Sequence, residues 1–408
     1  MKDRAQRAIA ECRLIAAMTE EPGRITRRFL TPPMRDVHAH LRSRMEALGM
    51  SAHVDALGNL RGIWRPAGAP RKRLLLGSHI DTVPNAGAFD GVLGVTAALE
   101  WVGIAQELGL PLAIEVIAFS EEEGVRYAVP FLGSRAIAGT FDKTMLAYED
   151  VSGIRMDEAM RAFGLTPEKI DEAVLDEDVL GFVEIHIEQG PVLEAENLPL
   201  AVVEAIVGQT RLTLTFTGQA NHAGTTPMHL RRDALAAAAE WITAVESLAL
   251  RTEGLAATVG SIVAEPNAGN VVPGVVHVSL DARHAHDAKR TAAVEELVAR
   301  AGAIAERRGL VLQHTNLLDQ PAVPMDEHLM EFLNSALESA GYPPKTMPSG
   351  AGHDAMVMAE RLPTAMLFLR SPGGISHHPA ETVLEEDVEA AMHVGREFLL
   401  RLAAEQNM

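Results

Sequence analysis

The stretch from Arg73 to Phe119 constrains the fold more than any other part of this sequence. RLLLG (73–77) is a short buried-strand pattern, GVLGVTAALEWVGIAQELG (91–109) is an apolar-rich helix, and AIEVIAF (113–119) is a second buried strand. Two strands joined through a connection of that length form a crossover unit, which leaves them parallel. FVEIHI (182–187) and TAMLFL (364–369) read as further buried strands. Parallel strands need cover on both faces, so a mostly parallel sheet flanked by helices follows. Residues 1–50 read as helical, with apolar positions at helical spacing (Ile9, Leu14, Ile15, then Met34, Val37, Leu41, Met45, Leu48).

Residues 208–320 follow a different rhythm. Arg211–Phe216 alternates like a half-exposed strand and Arg231–Leu250 is a helix. Ala257–Val263 and Val275–Ala282 are strands joined through Pro266 and the loop Asn267–Gly274. Ala288–Arg308 is a second helix and Leu310–Thr315 a last strand. That order, β-α-β-β-α-β, is the split crossover of ferredoxin-like domains. The expected architecture is α/β: a large domain of residues 1–207 and 322–408, with an inserted ferredoxin-like domain of residues 208–321.

Composition narrows the partners. Lys and Arg number 36 against 55 Asp and Glu, a net charge of −19. Nucleic acid and anionic membranes attract basic patches, so neither is expected as a partner. No run approaches the roughly 18 apolar residues of a membrane span. The first residues, MKDRAQRAIAECRL, have no signal-peptide pattern, so a cytoplasmic protein is expected. The single cysteine, Cys12, allows no intrachain disulfide and falls in the amphipathic first helix, where a packed thiol is the default. Sixteen histidines stand against it, so any metal would take nitrogen and oxygen ligands.

In open parallel sheets, ligands bind beyond the carboxyl ends of the strands. The first strand runs into GSHIDTVPNAGAFDG (77–91), with His79, Asp81 and Asp90. The second runs into SEEEG (120–124), the third carries His186 in EIHIEQG (184–190), and the last runs into RSPGGISHHPAE (370–381). Each signal alone is weak: such a histidine is more often a loop or core residue, and an acidic triplet more often a solvated face. Their convergence on one sheet edge is the stronger sign. Three imidazoles and two carboxylates suit a borderline divalent metal. One carboxylate shared by two metals holds them about 3.5–4 Å apart, the spacing of co-catalytic hydrolase sites. Asp81 lies two residues past His79, on the same face of an extended segment, and can accept its other ring N–H. A second carboxylate beside a ligand carboxylate suits a general base. These residues alone leave open the register within Glu121, Glu122 and Glu123, and the choice between His377 and His378. No phosphate-binding loop, H-E-x-x-H helix or G-x-S-x-G elbow occurs.

In combination, GSHIDTVPNAGAFDG, SEEEGVRYAVPFLGSRA, EIHIEQGPVLE, GQANHAGTTPM, PNAGNVVPGVVHVSLDAR, SGAGHDA and GGISHHPAE resemble one family. It is the dinuclear metallo-amidohydrolase branch of the M20 peptidases: N-carbamoyl-L-amino-acid hydrolases, β-ureidopropionases and allantoate or ureidoglycolate amidohydrolases. The resemblance implies a catalytic domain of zinc-peptidase type and an inserted lid and dimerisation domain. It implies two divalent ions per subunit, zinc or manganese, with cobalt also acceptable. His79 and His186 would hold one, Glu123 and His377 the other, and Asp90 would bridge them. In the family the metal-binding Glu immediately precedes this Gly, which selects Glu123 and makes Glu122 the base. The ligand histidine stands four residues before a Glu, which selects His377. Asp81 would be the partner of His79. His222 would reach across a homodimer interface to polarise the scissile carbonyl. Asn270 and Arg283 would grip the substrate carboxylate, with Gln209 a similar candidate, although Arg283 could equally form a strand salt bridge with Asp281. Gly352 and His353, in SGAGHDA, would line the same pocket.

The implied reaction is hydrolysis of a ureido bond in a small carboxylate such as allantoate or an N-carbamoyl-L-amino acid, releasing ammonia and carbon dioxide. A metal-held water would attack, with Glu122 as base. The nearest alternative is an aminopeptidase or dipeptidase of the same family, and a more distant one is a non-catalytic binding protein of the same fold. An anionic substrate conflicts with a charge of −19. Two cations and Arg283, set against Asp90, Glu122 and Glu123, would resolve the conflict locally, with the excess acid mostly on exposed faces.

Overall fold

The computed structural model describes residues 1–406. Arg73–His79 lies between Ala113–Phe119 and Val179–Ile187, and Thr364–Leu369 adds to the far side of the latter, all four parallel. These strands are buried along nearly their whole length, which is why their sequences read as unbroken apolar runs. The sheet is parallel only in its middle. Leu60–Trp64 pairs antiparallel with Ala113–Phe119, and Ser51–Val54 pairs antiparallel with Leu60–Trp64. On the other side Leu200–Ile206 runs antiparallel to Thr364–Leu369. The Ser51–Trp64 hairpin turns on Asp55, whose carboxylate accepts the backbone N–H groups of Leu57, Gly58 and Asn59 at 3.0 Å each.

The N-terminal region forms two helices, Lys2–Ala16 and Pro32–Ala47, and not a continuous helical stretch. The Thr19 hydroxyl explains the break. It accepts from the Thr26 N–H at 2.9 Å and donates to the Arg24 carbonyl at 2.6 Å, an alternative to helical bonding around Pro22 and Gly23. Cys12 is fully buried, and burial pushes its thiol up to about 12.

The crossover helix Val92–Glu107 is buried almost all round. It comes so close to the sheet that a Cβ on Gly94 would overlap the Ile185 carbonyl oxygen. On its other flank Trp101 packs against Gly395 of the terminal helix Glu385–Gln406 and donates to the Ala391 carbonyl at 3.2 Å.

The chain divides into two compact units, Met1–Glu204 with Met325 onward, and Ala205–Pro324. In the second, Gly208–Thr217, Val275–His284 and Val311–Gln320 form an antiparallel sheet with Gly208–Thr217 in the centre. Two short strands, Ala256–Thr258 and Ile262–Glu265, both pair with Val275–His284, where one strand was expected. The break falls at Gly260. Leu212, Leu214, Phe216, Val276, Val278 and Leu280 alternate onto one face and pack with Trp241 and Leu297 of the helices Ala234–Arg251 and Asp287–Arg308. Asn221–His222 and Val271–Val272 form a separate two-stranded ladder.

The Gly94 approach makes a prediction. Gly94→Ala forces the helix off the Ile185 carbonyl and should destabilise the protein by about 1–3 kcal/mol. Urea denaturation of both proteins measures this, and an unchanged midpoint would contradict so close a contact.

Candidate metal centre

Four strand ends deliver the site. His79 is the last residue of its strand, and Asp90 ends the loop that leads into the helix Val92–Glu107. Glu122 and Glu123 follow Ala113–Phe119, His186 lies near the end of Val179–Ile187, and His377 sits in the loop after Thr364–Leu369. Within the first unit these six, with Gln189, Pro130, Phe131, Ala351, Gly352 and His353, line one cavity of about 200 Å³. Glu121 is buried but does not line it. His378 is exposed, and its Nδ1 accepts from the Ala380 N–H at 3.1 Å.

Asp90 organises the cavity. Its Oδ1 faces Nε2 of His186 at 3.2 Å and Nε2 of His79 at 3.7 Å. Its Oδ2 faces Nε2 of His377 at 3.2 Å, and that nitrogen lies 3.5 Å from Glu123 Oε1. Two donor groups therefore share one carboxylate: His79, Asp90 and His186, and Asp90, Glu123 and His377. The Nδ1 of His186 lies 2.9 Å from the Ile187 carbonyl and that of His79 lies 3.1 Å from the Asp81 carbonyl. Carbonyl partners place the ring protons on Nδ1. The two Nε2 atoms lie 3.5 Å apart and both face Asp90; protonated they donate to it, and each offers a lone pair once that proton is lost. Such a set of converging acceptors fits a cation.

Asp81 ties the parts together. Its carboxylate lies 3.4 Å from His79 Nδ1 and accepts the backbone N–H groups of Glu122 at 2.9 Å and Glu123 at 3.1 Å. Gly91 holds φ at +66°, and a Cβ there would meet the His79 ring, so the turn beside the imidazole requires glycine.

Electrostatics follow from burial among like charges. Burial, with Glu123, Asp354 and Asp81 adding, holds the Glu122 carboxyl well above its usual range against the pull of His79. Burial and then Asp90 push Glu123 up to about 7. Burial also raises Asp90, but hydrogen bonds from His186, His377 and His79 outweigh it and hold Asp90 well below the usual carboxylate range. His377 is raised to about 9, chiefly by its hydrogen bond to Asp90. The acid here exceeds the three carboxylates weighed from the sequence. Asp81, Glu121, Glu184, Asp354 and Glu381 are also buried nearby in the same network of charges.

Gln189 and Glu184 were not singled out in the sequence, and Glu381 entered only as the glutamate four residues after His377. Gln189 donates its amide to both Asp90 oxygens, at 3.3 and 3.2 Å, and to Ser376 Oγ at 3.1 Å. Glu381 Oε1 accepts the backbone N–H groups of Phe89 and Asp90, at 2.9 and 3.0 Å. Glu184 accepts from the Ser78 hydroxyl and the Ala355 N–H, each at 2.8 Å. Glu184 shares a strand face with His186, and that spacing of two was the signal available. Phe131, Gln189 and His377 all adopt positive φ, at 65°, 59° and 55°. Three strained non-glycine residues around one cavity are typical of a functional site.

The remaining expected residues lie in the second unit. His222 is exposed, pairs with Val271 in the short ladder, and accepts from the Gly224 N–H at 3.1 Å. Asn270 is its neighbour there, its carbonyl accepting from the Ala223 N–H at 2.9 Å. Gln209 stands opposite Arg283 in the sheet register and donates to Gln320 at 2.9 Å. Arg283 bonds both oxygens of Asp281, at 2.8 and 3.0 Å, the strand salt bridge weighed above. It lines a separate cavity of about 510 Å³ that contains none of the clustered histidines.

A sheet that presents two donor groups able to hold cations, sharing one carboxylate at its strand ends, fits a metal-dependent hydrolase. Residues 75–401 match the model of peptidase family M20/M25/M40, and the chain belongs to that family. It is 39% identical to an allantoate deiminase of Arabidopsis thaliana over 96% of this chain and 81% of that one. It is also 39% identical to an N-carbamoyl-L-amino acid amidohydrolase of Geobacillus stearothermophilus, over 91% of this chain and 92% of that one. A crystal structure of an amidase of the hydantoinase/carbamoylase family from Burkholderia multivorans superposes with a TM-score of 0.90 at 32% identity, covering 98% of each chain. No helix among the described residues is long and apolar enough to cross a membrane.

Protons compete with a cation at the second donor group. In metal-stripped protein His377 keeps its proton up to about pH 9 and Glu123 up to about 7. A cation entering at neutral pH displaces them. Affinity should therefore rise with pH across this range, by about tenfold per unit for each proton displaced. Calorimetric titration with manganese chloride across the neutral to mildly alkaline range reads this, and a flat profile would contradict the assignment.

Proposed function

We propose that this chain hydrolyses the ureido bond of a small carboxylate of the allantoate or N-carbamoyl-L-amino-acid type, releasing ammonia and carbon dioxide. The observation that carries the reading is Asp90, shared between two donor groups with buried Glu122 lining the same cavity. The donors suit two divalent cations, His79 and His186 for one and Glu123 and His377 for the other, with zinc, manganese or cobalt acceptable. Such cations would supply Lewis acidity and acidify water.

The chain's own groups do the rest. Glu122 takes the proton of the attacking water and delivers it to the leaving nitrogen, a task suited to a carboxyl with a raised pKa. Asp81 holds His79 and the Glu122 backbone in register. The carbamic acid formed breaks down to carbon dioxide and ammonia. The second unit acts as an inserted ferredoxin-like lid and as the dimerisation domain of a homodimer. Its His222 polarises the carbonyl in the neighbouring subunit's site. Asn270 and Arg283, with Gln209, grip the substrate carboxylate; the planar guanidinium suits that task once it exchanges Asp281 for substrate. Gly352 and His353 shape the pocket wall.

Glu122→Gln keeps the size of the side chain and removes the base. It should retain its cation content and lose about 100-fold or more in turnover. The readout is ammonia release from allantoate, ureidoglycolate, N-carbamoyl-L-amino acids and N-carbamoyl-β-alanine, with dipeptides in parallel. Full turnover by metal-replete Glu122→Gln would overturn the role of Glu122. Activity of the wild type on dipeptides alone would favour a peptidase.

A further inference from the structure

Arg27 is buried behind the metal centre, with 1% of its surface exposed. Among the described residues, its side chain bonds three main-chain carbonyls and no carboxylate. Nε donates to the Ile80 carbonyl at 2.5 Å, and one terminal nitrogen donates to the Ile15 and Met18 carbonyls at 3.1 Å each. The nearby Asp81 charge attracts the guanidinium without forming an ion pair, and the cost of burial outweighs that attraction. Packing alone does not call for a guanidinium here, because a long apolar side chain could fill the space.

What Arg27 grips is informative. Ile80 stands between His79 and Asp81, so holding its carbonyl fixes the Ile80–Asp81 peptide, which leads from the ligand candidate into that ligand's hydrogen-bond partner. The backbone around Arg27 clamps the same loop. The Arg27 N–H donates to Thr82 Oγ1 at 2.9 Å, and the Thr82 N–H donates back to the Arg27 carbonyl at 2.9 Å. The Asn85 N–H donates to Thr26 Oγ1 at 3.0 Å, and the Ala86 N–H to the Ile25 carbonyl at 2.8 Å. Ile25–Arg27 thus holds the first part of the loop that runs from His79 to Asp90. The same guanidinium gathers carbonyls from the last turn of Lys2–Ala16 and just beyond it.

We propose that Arg27 is a positioning residue for the metal centre: by fixing the Ile80 carbonyl, it sets the direction of the His79 ring and of the Asp81 carboxylate on either side. Asp81 carries that geometry to the backbone of Glu122 and Glu123. The inference rests on the metal-dependent reading above.

The test compares wild type, Arg27→Lys and Arg27→Met, each stripped and reloaded with cobalt(II) alone. Lysine keeps the charge but loses the planar fork that reaches three carbonyls. Affinity is read by chelator competition, ligand geometry by the visible absorption bands of bound cobalt, and fold by the melting temperature in chelator. Arg27→Lys should fold, bind cobalt about 10-fold or more weakly and show shifted bands, the scale seen when the partner of a metal ligand is lost. Arg27→Met should show a larger loss if it folds. An Arg27→Lys protein with unchanged affinity and spectrum overturns the inference, even if its melting temperature falls, because that is the signature of a purely structural residue. Wild type that takes up no cobalt overturns the metal reading itself, and this inference with it.

Discussion

The geometry of this protein turns on the two oxygens of Asp90. One faces two imidazoles and the other faces a third. That division makes one carboxylate a common member of two donor groups. The neighbours of Asp90 serve to hold it there. Glu381 fixes its backbone N–H, and the Gln189 amide lies across both oxygens. A buried carboxylate among three histidines is stabilised as an anion, while Glu122 and Glu123, buried among other acids, are pushed the other way. The same cavity therefore holds an anion suited to bridging cations and a raised carboxyl suited to moving protons.

The fold delivers these groups through parallel strands. Four strands end at one edge, so residues far apart in sequence meet there without a long structured loop to carry them. The cost is close packing and local strain. Gly94 lets the crossover helix approach the Ile185 carbonyl, and Gly91 leaves room for the His79 ring. Phe131, Gln189 and His377 hold left-handed backbone that their side chains disfavour. Strain of this kind persists only where the surroundings fix it, and here the Phe131 N–H donates to the Glu122 carbonyl and the Gln189 N–H to Ser371 Oγ, each at 3.0 Å.

The central strands and the strand-end chemistry were legible because burial on both faces writes an unbroken apolar run, and such a run ends visibly where polar residues begin. Ala113–Phe119 and Thr364–Leu369 are each bounded in that way. The edge strand Ser51–Val54 and its neighbour Leu60–Trp64 were not legible, because they are short and turn on an Asp55 network that only three-dimensional contact reveals. The break after Ala16 was missed for a similar reason, since it depends on the Thr19 hydroxyl competing with helical bonds. Gln189 and Arg27 act through hydrogen bonds to residues 99 and 53 positions away. No local pattern encodes contacts of that range. Within the acidic triplet the residues alone left the register open, and the family resemblance chose Glu122 and Glu123; these two line the cavity and Glu121 does not.

Asp90 is the carboxylate through which the two candidate cation-binding groups meet. The most direct test of that role is the manganese or zinc content of purified protein, wild type against Asp90→Asn, measured by plasma mass spectrometry after equilibration with the metal. Two ions per subunit are expected in the wild type. A marked loss of both is expected in the variant, because the amide cannot serve as an anionic ligand to either group. Two tightly held ions in Asp90→Asn, as in the wild type, would contradict that role.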